Sequence, residues 1–566
     1  MRIDRIIEAE EIITLDPARP RARRMGVFAG RIAGFDEELD GVVAARTDRY
    51  DGVLVPGFID AHCHATWWGL GLSAVDLAEP RGLPELYGAL RERAARMDAR
   101  RPFDPARDAR DAEAWLRGVG FNDARHGGAP DIRVLDEIAP ERPMYLRHAS
   151  GHRSIVNTAA LRLAGALEPG FRDPVGGQVL RDERGRPTGV LDETAQALVQ
   201  RLLLPYSAEQ IAGALDLATA AFARRGITSF TEAGVGGGWI GHSPCELEGY
   251  RLARASGRLH ARAQLMPALD AMRPIRGAVA DMHGAGEGLG LDLGIGAGFG
   301  DETLSLGPVK AFLDGSLLGG TAAVREEYCA HPHGHGYLLD DEHGYRERID
   351  AVYRAGWPVA LHAIGDRAIE LAIGLIEECQ ARYGRRALPN RIEHCALARP
   401  EHLPRLARAG IAVTPQASFI GPIGSQMMRM VGPERAPWLY RMRSFLEAGV
   451  TVAGSSDLPV ADGDVLRAMQ SLVDRRTDEG ELCPGAWEAV DAERALRCYT
   501  VEAAIGTGTV RDRGTLSTGK LADAAVLSAS PLTAERIDGL QVVASYLAGR
   551  LPSEPAAEPT REGDER

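Results

Sequence analysis

Through the middle of this 566-residue chain, short β-rich runs alternate with long helical stretches rich in Ala, Arg and Leu. The strand candidates are VLVPGFIDA (53–61), GITSFTEAG (226–234), ARAQLMP (261–267), LGPVKAFLDG (306–315), WPVALHAIG (357–365), NRIEHCAL (390–397), GIAVTPQAS (410–418) and GVTVAGSSD (449–457). Helical stretches such as AEQIAGALDLATAAFARR (208–225) and DRAIELAIGLIEECQARY (366–383) lie between most of them. Eight strands alternating with helices predict an α/β fold, a (β/α)8 TIM-like barrel, with catalytic groups at the C-terminal ends of its strands. A ninth candidate, RPMYLRHAS (142–150), falls in a long insertion between the first and second barrel strands.

The chain ends have a different texture. EIITLDP, MGVFAG and RIAGFD near the start, and TLSTGKLADAAVLS and LQVVASYLAGR near the end, are brief strand-like runs separated by Gly, Asp and Pro. They predict a small β-sandwich domain built from both ends, residues 1–52 with 510–552. The barrel then spans 53–509, with its insertion at about 65–190. Residues 553–566 have almost no apolar content and read as a disordered tail.

Chemistry-bearing residues fall at the ends of the predicted strands. Side chains alternate across a strand, so His62 and His64 point one way and Cys63 the other, and two imidazoles on one side form a metal pincer. Alone, such a pair is better read as one core and one loop histidine. However, His362 lies near the end of PVALHAIGD, His394 closes NRIEH and Asp457 ends TVAGSSD. Asp457 taken singly reads as a helix N-cap. Lys310 sits inside GPVKAFLDG, where a free ammonium is expensive to bury. Burial favours the neutral amine, which can add carbon dioxide and become a carbamate able to bridge two cations. The competing reading pairs Lys310 with Asp314 or with an anionic group of the substrate. The run CAHPHGHGYL, with Cys329, His331, His333 and His335, carries Pro and Gly at its turns and reads as a lid or surface loop rather than a second metal site.

Taken together, VLVPGFIDAHCH, VKAFLDGSLLGGTAA, LHAIGDRA, RIEHC and GSSDLP resemble the amidohydrolase superfamily, most closely its YtcJ-like branch of metal-dependent hydrolases, which includes N-substituted formamide deformylases. GHRSIVNTAAL (151–161), GRPTGVLDETA (185–195) and GKLADAAVLSASPL are similar to the same branch. The resemblance implies that His62, His64 and Asp457 bind the more buried metal, that His362 and His394 bind a second, and that carboxylated Lys310 bridges them. It implies one or two divalent ions, which the nitrogen-rich ligand set suits to Zn2+. The implied reaction is hydrolysis of a C–N bond in an amide, N-substituted formamide or cyclic amide by metal-activated hydroxide, with Asp457 moving the proton. His152 is the candidate to hold the substrate carbonyl, Trp67 and Trp68 line an apolar pocket, and Asp314, Asp366 and Gln416 are candidate partners of the ligands or substrate. Deamination, isomerisation or decarboxylation on the same scaffold, or a non-catalytic binding role, are the alternatives.

Composition bounds the partners. The formal charge of −13 argues against nucleic-acid and anionic-membrane surfaces. No run approaches the ~20 apolar residues of a membrane span. The start lacks the apolar core of a secretory leader, and seven scattered cysteines without a CxxC suit a reducing compartment, so a cytoplasmic enzyme of a small-molecule substrate is expected. A homodimer is the default expectation.

Overall fold

The computed structural model describes residues 2–109, 111, 113–148, 153–174, 177–237, 240–276, 287–289, 295–330, 334–483 and 485–552. His152, His331, His333 and the tail 553–566 lie outside the described residues. The chain divides into two compact units: Met1–Ala65 with Thr219–Gly241 and Ala253–Arg566, and Thr66–Ala218 with His242–Leu252.

In the first unit, the two chain ends meet in one six-stranded sheet. Its spatial order is Val542–Tyr546, Ala524–Leu527, Val43–Pro56, Arg2–Ile13, Arg21–Phe28 and Arg31–Phe35. Ile7, Ile12, Met25, Val27, Phe35, Leu54, Val526 and Tyr546 form its buried core.

The same unit holds two four-stranded parallel sheets. One runs Leu304–Leu306, Arg262–Pro267, Ile227–Val235, Phe58–Cys63, and the other Val309–Phe312, Val359–Ala363, Arg391–His394, Ala412–Thr414. Their residues are almost all buried, as expected of parallel strands covered on both faces, and this is why they read as apolar runs without alternation. The helix Asp366–Tyr383 turns Ile369, Ala372, Ile373, Leu375, Ile376 and Cys379 inward, a helical-period stripe, and stops at Gly384 with φ 75°.

Three predicted strands need correction. The run 53–61 is not one strand: Val53–Pro56 pair in the chain-end sheet, while Phe58–Cys63 open the parallel sheet. Gly57 marks the break, and a Cβ there would lie 2.3 Å from Thr228 Oγ1, a clash only glycine avoids. The run 306–315 is likewise cut, since Pro308 offers no N–H; Leu304–Leu306 pair with Arg262–Pro267, and Val309–Phe312 with Val359–Ala363. The segment 449–457 forms no strand, only a bridge between Val413 and Val452. Its later N–H groups go elsewhere: Gly454 to Cys498 O (2.8 Å), Ser456 to Asp60 Oδ1 (3.1 Å) and Asp457 to His62 O (2.8 Å).

The second unit is built on a six-stranded mixed sheet in the order Gly177–Arg181, Pro187–Glu193, Arg153–Val156, Met144–His148, Leu116–Phe121, Val75–Asp76. The ninth strand candidate is Met144–His148, a central member of this sheet. The helices Leu83–Arg100 and Ile132–Ile138 bury Leu86, Leu90 and Leu135 against Leu77, Leu116, Phe121 and Leu146.

Candidate metal centre

The strand Phe58–Cys63 delivers His62 at its end and His64 just beyond it. Cys63 faces away, its thiol 3.7 Å from Thr231 O. The Nε2 atoms of His62 and His64 lie 3.3 and 3.2 Å from the same oxygen, Oδ1 of Asp457. One ligand-type atom from each of these three residues falls within 4.8 Å of the others. Among the described residues this is the one trio of His, Cys, Asp or Glu groups so gathered.

Backbone bonds fix this convergence. Asp457 N–H donates to His62 O and His64 N–H donates to Leu458 O, both at 2.8 Å. Asp60 Oδ1 accepts from His62 N–H (3.2 Å) and Ser456 N–H (3.1 Å), and the Ser456 hydroxyl donates to its other oxygen. Burial lifts the Asp60 carboxyl to about 6 against the pull of these donors. Asp457 has φ 55°, a left-handed conformation rare outside glycine, so it is part of a tight turn rather than a helix cap. The helix that follows begins at Val465 and is capped by Asp464.

Two more imidazoles and an amine stand beside the trio. The His394 ring centroid is 5.0 Å from that of His62 and 4.4 Å from that of His362. His394 Nδ1 meets Gln416 Oε1 at 2.7 Å, and Gln416 is oriented by donating from Nε2 to Thr414 O (2.8 Å) and Ser455 Oγ (3.0 Å). His394 therefore carries its proton on Nδ1 and leaves Nε2 open. His362 donates from Nε2 to Gly315 O (3.1 Å), and its buried Nδ1 has no hydrogen-bond partner. Lys310 is 1% exposed, and its Nζ has no hydrogen-bond partner either, lying 4.7 Å from the Phe312 ring centroid. Burial lowers the His394 imidazole to about 3 and the Lys310 ammonium to about 8, and holds His362 well below its ordinary value with help from neighbouring His394 and Lys310. Neutral imidazole and neutral amine are the forms that bind metals and carbon dioxide. A cavity of about 190 Å3 opens beside Lys310 and Phe312, walled by Leu269, Leu339, Asp270 and Arg348.

The pairing of Lys310 with Asp314 does not form. Asp314 instead accepts the backbone N–H groups of Ala323 (3.0 Å), Ile364 (3.0 Å) and Gly365 (2.8 Å), and lies 3.5 Å from His362 Nε2. Burial lifts its carboxyl to about 7 despite these donors. Asp366 turns away from the imidazoles, because Arg325 N–H (2.9 Å) and Arg399 Nη1 (3.0 Å) claim its carboxylate. Trp67 and Trp68 belong to the second unit, where the Arg147 guanidinium lies 4.9 Å over the Trp67 ring. Cys329 N–H is bonded to Met430 O (2.9 Å), and half-exposed His335 faces Glu327 at 3.7 Å.

Sequence reasoning missed Glu393. Its carboxylate is hydrogen-bonded to His62 Nδ1 and gripped by Arg391 through Nε and Nη2, both at 2.8 Å. Opposite charges two positions apart in RIEH, within a strand covered on both faces, were the available signal, since neither charge is tolerable there unpaired.

Compared with known proteins, residues 49–551 match the family described as the amidohydrolase family. An N-substituted formamide deformylase of Arthrobacter pascens is 28% identical over 97% of this chain and 98% of its own length. A putative amidohydrolase YtcJ of Bacillus subtilis is 27% identical over 88% of each chain. Among solved structures, an uncharacterized metal-dependent hydrolase of Pyrococcus horikoshii superposes with a TM-score of 0.73 at 21% identity, over 94% of this chain and 98% of that one, and shares the fold.

Proposed function

The chain belongs to the amidohydrolase family, its YtcJ-like branch, and is a hydrolase of carbon–nitrogen bonds; on that footing we propose that it cleaves a small amide, N-substituted formamide or cyclic amide at a divalent-metal centre built on His62, His64 and Asp457. The observation that carries the reading is the meeting of groups some 400 positions apart, two imidazole nitrogens and one carboxylate oxygen within 4.8 Å.

The residues fit a cation on chemical grounds. A lone pair on His64 Nε2 or His62 Nε2 faces an oxygen of an ionised carboxylate, an arrangement that a positive charge between them relieves. Burial opposes the charge of Asp457, but the two imidazoles beside it, His62 and His64, outweigh burial and hold the carboxyl well below the usual range. The orphaned Lys310 Nζ and His362 Nδ1 are buried polar atoms whose desolvation is otherwise uncompensated. In this reading His62, His64 and Asp457 would hold one ion and His362 and His394 a second, with carboxylated Lys310 as a further oxygen ligand. Nitrogen-rich donors with carboxylate oxygens suit zinc. When bound, the metal supplies Lewis acidity and lowers the pKa of a water toward neutrality.

The chain's own groups do the rest. Asp457 accepts the proton of the attacking water and passes it to the departing nitrogen. Gln416 and the Gly315 carbonyl keep the His394 and His362 rings in single tautomers. The cavity beside Phe312 leaves room for a small substituent, between apolar Leu269 and Leu339 and charged Asp270 and Arg348. We also read the two parallel sheets as halves of one closed (β/α)8 barrel, supported by the Ala268–Lys310 bridge at one seam and, at the other, Val413 N–H to Thr451 O (2.9 Å) and Ala61 N–H to Gly454 O (3.0 Å). The chain ends form its accessory β domain, and Thr66–Ala218 is its insertion.

The test is metal analysis of purified protein, paired with turnover of a panel of N-formyl and N-acyl compounds. A bound divalent metal, lost together with activity in His62→Ala, is the expected result. Full activity after complete chelation would remove the reading.

A further inference from the structure

We infer that Glu393 is a positioning residue for the cation: with Arg391 it holds the His62 ring by Nδ1 and aims Nε2 at the point shared with His64 and Asp457. This inference rests on the metal reading above.

The geometry builds up in steps. An ionised carboxylate can only accept, so the His62–Glu393 bond places a ring proton on Nδ1. Nε2 is then the ring atom left to ligate, and it is the atom 3.3 Å from Asp457 Oδ1. Rotating the ring about its Cβ–Cγ axis would exchange that atom for a carbon and leave Glu393 without its donor. The carboxylate is itself immobile, because Arg391 meets both of its oxygens and both side chains are 0% exposed. Arg391 Nη2 also donates to Ala61 O at 2.6 Å, the carbonyl just before His62. The pair thus grips the ligand twice, by its ring and by the backbone that carries it.

The strand pays a conformational cost to allow this. Neighbouring residues of a regular strand face opposite ways, so Glu393 and His394 should not both address His62. His394 adopts φ 69° and Cys395 φ 46°, two consecutive left-handed non-glycine residues, and the alternation fails there. Such conformations are strained for residues with a Cβ and persist where the surroundings require them. A buried Arg–Glu pair contributes little net stability compared with apolar side chains of like volume. Direction, rather than stability, is what this pair adds. One strand then serves both halves of the proposed centre, orienting His62 through Glu393 and presenting His394 itself.

The experiment is a competition titration of the apo-protein with Zn2+ or Co2+ against a chromophoric chelator. It compares wild type, Glu393→Gln and Glu393→Ala, with the imidazole 15N shifts of His62 read in parallel. A clamp of this kind predicts about 10–100-fold weaker binding of the first cation in Glu393→Ala, and a smaller loss in Glu393→Gln, whose amide oxygen still accepts from Nδ1. It also predicts that the His62 shifts move from a single Nδ1–H tautomer to a mixture in the alanine variant, a change that a merely structural role would not produce. If Glu393→Ala does not fold, Glu393→Gln decides by the same readouts. Wild-type affinity and an unchanged tautomer in folded Glu393 variants would overturn the inference while leaving the metal centre standing. A wild type that binds neither metal would instead overturn the metal reading on which it depends.

Discussion

The buried pair Arg262–Asp523 should be a strong anchor between the chain-end sheet and the parallel sheets of the first unit. Asp523 directly precedes the strand Ala524–Leu527, and Arg262 opens the strand Arg262–Pro267. The guanidinium meets both carboxylate oxygens, at 2.6 and 2.9 Å, with the two side chains only 5% and 3% exposed. Asp523 also accepts Ala548 N–H at 2.8 Å, and its carbonyl accepts Gly57 N–H at 3.0 Å. Asp523→Ala strands a dry guanidinium and Arg262→Met strands a dry carboxylate, each costing about 3–5 kcal/mol. With an unfolding entropy of about 2.1 cal/mol/K per residue, a unit of roughly 400 residues loses about 1 °C per kcal/mol, so each single variant should melt about 3–5 °C lower. Arg262→Met combined with Asp523→Leu removes both charges and should cost less than either single change. The acid limb provides an independent check. Burial opposes ionisation of Asp523, but Arg262 and Arg513 outweigh it and hold its carboxyl below the usual range. A depressed folded value means stability that is fully present above the unfolded pKa of about 3.9 and lost as pH falls through the lower folded value. The advantage of wild type over Asp523→Asn should therefore be flat from about pH 5 upward and shrink below about pH 4. Thermal melts of wild type and the four variants across pH decide the matter. Single variants costing under about 1 kcal/mol, or a double variant equal to the sum of the singles, would refute the reasoning.

Two further outcomes concern the centre itself. Gln416→Leu removes the acceptor that fixes His394 by its Nδ1, so the second cation should bind at least about tenfold more weakly while the first is retained, as read by stoichiometric titration. Lys310→Met replaces a buried amine that has no hydrogen-bond partner by an apolar chain of similar reach. The apo-protein should melt at a higher temperature and yet lose the second cation and most of its turnover; a lower melting temperature would show that the amine is satisfied in solution.

Local rules made most of the candidate centre legible in the sequence, and what stayed hidden depends on places where the backbone leaves those rules. His62 and His64 were found because a period of two puts them on one side, and their strand keeps that period up to its end. His362 and His394 were singled out as candidates because each stands near the end of an apolar run. The break at Gly57 was hidden, since hydrophobic continuity from Val53 to Ala61 says nothing of which sheet each residue joins; the glycine is explained only by the approach of Thr228. Glu393 was hidden for a sharper reason. Alternation assigns it the face opposite His394, and the residue that cancels alternation is His394 itself, whose positive φ nothing in its side chain announces. Asp457 was open to reading as a helix cap for the same cause, since at φ 55° it turns its carboxylate back toward His62 and His64 instead of opening a helix. Bringing neighbouring side chains to one point from the end of a strand requires leaving β geometry, and a non-glycine residue does so only when other contacts hold it there. Here those contacts are visible: Gln416 on the His394 ring, His62 O on the Asp457 amide, and Asp60 on the amide of Ser456 beside it. The left-handed residues are therefore products of the assembled cluster, formed by groups distant in the chain, and that is why the one-dimensional pattern locates the candidate ligands while leaving unseen the residues packed around them.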